Sequence, residues 1–258
     1  MSVAEAIQRA IADIERDQDV RILFAAESGS RAWGFASPDS DYDVRFIYVH
    51  RRDWYIRIDE PRDVIEAMLP GDLDLSGWDL RKTLNLFLRC NLALNEWLGS
   101  PIVYAERGDL AQRLRTLISA AFRAQAGYHH YLSMARGVYN SHVAADPVRL
   151  KKVFYVLRPL LACRWIEQTG SQPPTEFSRL TAADWVSDVE RSMIGDLATA
   201  KAESREGDET PLDEPARRWL IAELDRAETA KDSIRSSATL GARELNEILR
   251  ECTRTAWQ

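Results

Sequence analysis

Arg21 to Val49 reads RILFAAESGSRAWGFASPDSDYDVRFIYV, and this stretch decides the fold. Ile22 to Ala26 form an apolar run closed by Glu27, which predicts a buried strand. The glycine-bearing segment Ser28 to Gly34 follows, and the polar turn Ser37 to Asp41 leads into a second strand, Tyr42 to Val49. Asp41 and Asp43 stand two apart where that strand begins. Alternation along a strand puts both carboxylates on one face. Such a face suits Mg²⁺, which takes oxygen ligands and commonly uses a few carboxylates, with water and substrate phosphates completing its octahedron. Alone, an Asp-x-Asp pair is better read as a solvent-exposed turn. The glycine segment in front of it adds weight, because Gly29 permits close approach and unusual backbone angles. Ser30 adds a hydroxyl and a backbone donor beside the place where triphosphate oxygens would lie. The plainer reading of Gly29 and Ser30 is an ordinary strand-to-helix connection.

Working outward, Val3, Ile7, Ile11 and Ile14 recur at helical spacing before the first strand. Val64 to Met68 predicts a third strand, Pro70 and Gly71 a turn, and Leu73 to Leu75 a short fourth strand before Ser76 and Gly77. From Asp79 the pattern is helical, with Leu80, Leu84, Phe87 and Leu88 on one face and Asp79 placed to cap it. Beyond Ala105 no strand pattern appears. Long amphipathic stretches run over Leu110 to Tyr139, Val148 to Gln168, and from Pro215 onward, separated by loops at 171–175 and 204–211, the latter polar enough to be mobile. The expected class is α+β: a mixed sheet with flanking helices in residues 1–104, followed by an all-helical domain in residues 105–258.

The chain has 258 residues, 45% hydrophobic and 29% charged, which is the composition of a folded protein. Its net charge of -6 argues against a globally basic nucleic-acid coat but is compatible with a local basic groove, so RNA stays open as a substrate. Cys90, Cys163 and Cys252 are odd in number and widely spaced, which suggests neither a disulfide framework nor a zinc ribbon. No apolar run approaches the roughly 18 residues that span a bilayer, and the N-terminus lacks the order of a signal peptide. A cytoplasmic protein without membrane partners is expected. The sequence contains no Walker loop, GxSxG elbow or Rossmann glycine motif. His50, His129, His130 and His142 have no metal-ligand spacing and default to surface or core roles. Phe35 reads as core, while Trp33, Trp54 and Tyr55 fit either core or a base-stacking wall.

Gly-Ser a short distance before Asp-x-Asp on the next strand resembles the signature of the DNA polymerase β-like nucleotidyltransferase superfamily. Residues 27–46, ESGSRAWGFASPDSDYDVRF, with 53–55, DWY, and 77–82, GWDLRK, are similar to the nucleotidyltransferase family associated with RNA-repair ligases. Residues 152–165, KVFYVLRPLLACRW, extend the likeness into the helical half.

The resemblance implies a nucleotidyltransferase sheet with helical additions, Gly29 and Ser30 at the triphosphate of an NTP, and Asp41 and Asp43 on a pair of Mg²⁺ ions. It also implies a third acid on a neighbouring strand, which Asp74 fits first and Asp79 second. Asp72 lies nearer the turn, and the plain alternative for Asp74 is a solvent-facing edge carboxylate. The reaction implied is transfer of NMP to a hydroxyl acceptor, an RNA end by family association, with release of pyrophosphate. Transfer to a protein or small molecule, or a non-catalytic nucleotide-sensing or partner-binding module, are the alternatives. Arg31 and Arg45 are candidate phosphate partners; Arg31 would otherwise face solvent and Arg45 would pair with a nearby acid. In the helical half Lys151, Phe154, Tyr155 and Arg158 share one helix face. Tyr155 and Arg158 are expected to reach the nucleotide, with a buried amphipathic helix as the alternative.

Overall fold

In the computed structural model, residues 2–205, 207–235 and 238–258 are described. The chain opens with α1 (Val3–Gln18), β1 (Arg21–Glu27), the short α2 (Gly29–Trp33) and β2 (Tyr42–Val49). After a 3-10 turn at Arg52–Ile56 come β3 (Val64–Leu69), β4 (Leu73–Asp79), α3 (Leu80–Leu88), α4 (Leu92–Leu98) and β5 (Val103–Glu106). Then follow α5 (Leu110–Ala121), α6 (Ala124–His142), β6 (Val148–Arg149), α7 (Leu150–Thr169), α8 (Phe177–Thr181) and α9 (Asp188–Glu203). The chain continues through β7 (Glu209–Thr210), α10 (Glu214–Ala230), a 3-10 turn at Lys231–Ser233, and α11 (Ala242–Thr255). The class is α+β, with a mixed sheet, flanking helices and a helical C-terminal region.

Two compact units form. One comprises Met1–Ala32, Asp41–Ala121 and Thr239–Gln258; the other comprises Trp33–Ser40 and Phe122–Ala238. The sheet unit thus includes α5 and α11, whereas the segment between α2 and β2 belongs to the helical unit.

In the sheet unit the strand order is β3-β4-β2-β1-β5. β2 pairs parallel with β4, and the other three pairings are antiparallel. Alternation gives the sheet two buried faces. On one, Val44, Phe46, Tyr48, Leu73 and Leu75 pack with Ile7, Ala10, Ile11 and Ile14 of α1. On the other, Ile47 and Val49 pack with Leu80, Leu84, Phe87, Trp97, Leu114 and Ile248 from α3, α4, α5 and α11. α1 starts with a capping box in which Ser2 and Glu5 satisfy each other's backbone donors.

Four sequence expectations are corrected. The fourth strand does not stop at Leu75 but continues through Ser76 and Gly77 to Asp79. Gly77 lies beside Phe46 in the parallel ladder, and a Cβ there would come within 2.1 Å of the Phe46 ring. The glycine therefore admits an aromatic neighbour and does not end the strand. Val103–Glu106 forms an edge strand on β1 that its short, mixed pattern did not announce. The stretch from Leu110 is broken at Phe122 and Arg123 into α5 and α6. Strand pairing also occurs beyond Ala105: inside the loop expected at 204–211, Glu209–Thr210 pairs with Val148–Arg149. Glu206 of that loop lies outside the described residues. α9 was not among the expected helices, although Ser187 and Glu190, which form a capping box at its start, carry the signal for it.

Gly77→Ala is expected to destabilise the protein by about 1–3 kcal/mol through overpacking against Phe46, measured by urea denaturation; an unchanged midpoint would show that the ring has room to move.

Candidate active site

Along β2 the residues that share a face with Ile47 and Val49 are Arg45 and Asp43, with Asp41 one residue before the strand. Buried apolar packing therefore gives way, within one strand, to charged groups. Asp43 lies opposite Asp74 in the parallel β2–β4 register. Like charges placed this way repel, and Arg45 compensates them. Its Nη2 donates to Asp43 Oδ1 and to Asp74 Oδ2, both at 2.8 Å, and its Nη1 donates to the Asp74 carbonyl at 3.2 Å.

The backbone of Asp43 is fixed from both sides. Its N–H donates to the Glu27 carboxylate at 2.8 Å, and its carbonyl accepts from the Ser28 N–H at 2.8 Å. Glu27 is fully buried and also accepts from the Tyr104 hydroxyl. Burial raises the pKa of Glu27, and these two hydrogen bonds oppose the rise. Gly29 has φ of 62°, and a Cβ there would lie 2.5 Å from Asp43 Oδ2. The Asp43 carboxylate thus occupies space that only glycine leaves open. Ser30 is buried, and Arg31 donates from Nε to the Asp41 carbonyl at 3.0 Å with its guanidinium 3.7 Å over the Tyr42 ring.

Asp79 serves another purpose. It is fully buried, caps α3 by accepting from the Arg81 N–H at 2.7 Å, and accepts from the Tyr55 hydroxyl at 2.6 Å. In the β2–β4 register it stands opposite Tyr48, five residues along from Asp74. Burial raises its pKa. Tyr155 and Arg158 lie in the helical unit. There Arg158 is 1% exposed, its guanidinium stands 4.4 Å over the Trp33 ring, and its Nε donates to the Thr175 carbonyl at 3.4 Å. Tyr155 meets Trp33 edge-on with ring centroids 5.2 Å apart.

The structure therefore brings Gly29, Asp43, Asp74 and Arg45 together, adds Arg31 at the Asp41 backbone, and places Tyr155 and Arg158 around Trp33. Sequence reading missed Glu27 as the anchor of Asp43; the signal was an acid ending an otherwise apolar strand. It also missed Lys201, which is 2% exposed and donates to the Phe35 carbonyl at 2.6 Å and to Ser37 Oγ at 2.9 Å.

A profile of the RlaP family, described as "RNA repair pathway DNA polymerase beta family", matches residues 3–251. The chain belongs to this family. It is 42% identical over 248 residues to "Uncharacterized protein YcgL" of Bacillus subtilis (strain 168), covering 95% of this chain and 94% of that protein. Among solved structures, a nucleotidyltransferase-like protein from Exiguobacterium sibiricum 255-15 aligns with 97% of this chain and 80% of its own, at 14% identity and a TM-score of 0.31. Membership places the chain in a nucleotidyltransferase-like group of the DNA polymerase β superfamily. No helix among the described residues is long and apolar enough to cross a membrane.

No group of three or more His, Cys, Asp or Glu among the described residues is arranged to hold a metal ion. The donor chemistry nevertheless fits Mg²⁺, which shares its coordination between a few carboxylates and substrate phosphates. Asp43 and Asp74 already converge on one cationic group, the Arg45 guanidinium.

Gly29→Val is expected to cost at least about 1 kcal/mol for its left-handed backbone and to displace the Asp43 carboxylate from the space it fills, measured by urea denaturation. An unchanged midpoint would make Gly29 an ordinary turn residue. For Glu27 the raised pKa means that folding favours the protonated form. Its stability contribution is full below the ordinary glutamate range and is lost as pH rises through the folded value. Glu27→Gln keeps only one of the two acceptor oxygens, so it should lower the melting temperature, and by the sign above the loss should be larger in the ordinary glutamate range than near pH 7. A loss that shrinks on acidification would reverse the assignment.

Proposed function

We propose that this chain is a Mg²⁺-dependent nucleotidyltransferase that transfers NMP from an NTP to the hydroxyl of an RNA end, releasing pyrophosphate. The observation that carries the reading is the convergence of Asp43 and Asp74 on a single cationic group, beside a glycine whose missing side chain makes room for the Asp43 carboxylate. The register opposite Asp43 and the capping role of Asp79 favour Asp74 as the third carboxylate. RNA as the acceptor class is supported by the family description.

In this proposal Asp41, Asp43 and Asp74 hold Mg²⁺, which would supply charge stabilisation for the entering and leaving oxygens. Gly29 and Ser30 cradle the triphosphate with backbone and hydroxyl donors. Arg31 steadies the backbone that carries Asp41, and Arg45 balances the charge of the carboxylate pair. The acceptor oxygen bonds to the α-phosphorus, its proton passes to Asp74, and the bond from phosphorus to the α–β bridging oxygen breaks. Pyrophosphate leaves with that electron pair. The protein's work is mainly positioning and neutralisation. Tyr155 and Arg158 enter this scheme through segment 33–40, whose Trp33 they pack against.

The test incubates the full chain with Mg²⁺, each α-labelled NTP in turn and a mixed pool of RNA ends, following label in RNA and released pyrophosphate. Asp41→Asn and Asp43→Asn are expected to lower turnover on the order of 10²–10³-fold while leaving thermal unfolding close to that of the parent. Near-native turnover in either variant would remove these residues from the reaction. Label appearing in protein but not in RNA would replace the acceptor.

A further inference from the structure

A cavity of about 440 Å³ opens beside Arg45 and Asp74, a volume typical of small-ligand sites. We infer that it is a stacking subsite for the terminal base of the acceptor strand, so that the acceptor is a single-stranded nucleic-acid end. This deepens the proposal above and rests on its placement of Asp74 at the reaction centre.

Trp78 of β4 lines the cavity as a half-buried ring, and it rests on Trp97 of α4 with ring centroids 4.0 Å apart. Trp97 is 4% exposed and belongs to the core, so the floor is a supported aromatic face. Aromatic faces of this kind accept any base, because stacking does not read base edges. At the lip stands Met68 of β3, 74% exposed, a soft apolar side chain left in solvent and suited to a flat ring. Ser76 and Glu66 stand opposite each other in the β3–β4 register and offer oxygen acceptors for exocyclic amino groups. Glu66 is paired with Arg62, so it does not confront phosphates as an uncompensated charge. Arg45 and Asp74 close the other end. A base lying on Trp78 would place its sugar hydroxyls toward the carboxylate that takes the acceptor proton in the proposed reaction. β3 is the last strand of the sheet, and a flexible strand can enter from that side.

A fluorescein-labelled single-stranded RNA hexamer with a free 3′-hydroxyl, titrated with the full chain and no NTP, reads the subsite by anisotropy. Mg²⁺–NTP affinity is measured separately by calorimetry. Trp78→Leu should weaken hexamer binding roughly tenfold, and Trp78→Phe should leave it nearly unchanged, with NTP affinity the same in both. Because Trp78 also supports the core, Met68→Ser and Met68→Leu repeat the test at an exposed lip with no change of charge. They should weaken hexamer binding and leave it nearly unchanged, respectively, with unfolding temperatures unaltered. Equal hexamer affinity in parent, Trp78→Leu and both Met68 variants would overturn the subsite, as would a loss of NTP affinity in place of hexamer affinity. Failure of the transfer reading alone would appear differently, as absent pyrophosphate release with the hexamer series intact.

Discussion

Asp43 and Asp74 sit side by side on adjacent parallel strands with the Arg45 guanidinium bound to both, and much of the sheet unit can be understood as maintaining that juxtaposition. Parallel pairing of β2 and β4 requires the chain to leave β2, cross over and return, and β3 lines the outer side of the returning strand. The turn into β4 carries positive φ at Gly71 and Asp72, which lets β3 and β4 meet as a hairpin without shifting Asp74 out of register. A slip of one residue on either strand would send one carboxylate to the α1 face and leave Arg45 with a single partner.

Such a charged cluster persists because the surrounding structure holds it from several directions. Glu27 binds the Asp43 amide, Ser28 binds its carbonyl, and Gly29 yields space to its side chain. Three consecutive residues of the β1–α2 junction thus act on one residue of the next strand. In this chain the Gly-Ser element shapes the space that the Asp-x-Asp element fills.

Much of this was legible in the sequence. The strand Arg21–Glu27, the strand Tyr42–Val49 and the two-residue spacing of Asp41 and Asp43 all follow from apolar runs, glycine punctuation and alternation. The role of Gly77 was not, because a glycine inside a strand reads as a terminator until its neighbour is known to be Phe46. Glu27 was likewise hidden, since nothing local says that its carboxylate will be buried against Tyr104, 77 residues away. Arg45 admitted either a phosphate or an acid as partner, and only the β2–β4 register supplies Asp74. The association of α5 and α11 with the sheet is also a matter of packing that period alone does not reveal.

The fixation of segment 33–40 bears on how the gene can be divided. Phe35 packs against Phe154 and Phe177, Trp33 lies under Arg158, and Lys201 clamps the Phe35 carbonyl and Ser37. An expression fragment ending at Ala121 would therefore retain every acid of the candidate centre yet strip the cover from two aromatic rings in the loop that joins its Gly-Ser and Asp-x-Asp elements. It would also lack α11, whose Leu245, Ile248 and Cys252 complete one face of the sheet's core. Fragments ending at Ala121 are consequently poor candidates for soluble production, and domain-swapped chimaeras should exchange residues 33–40 together with 122–238.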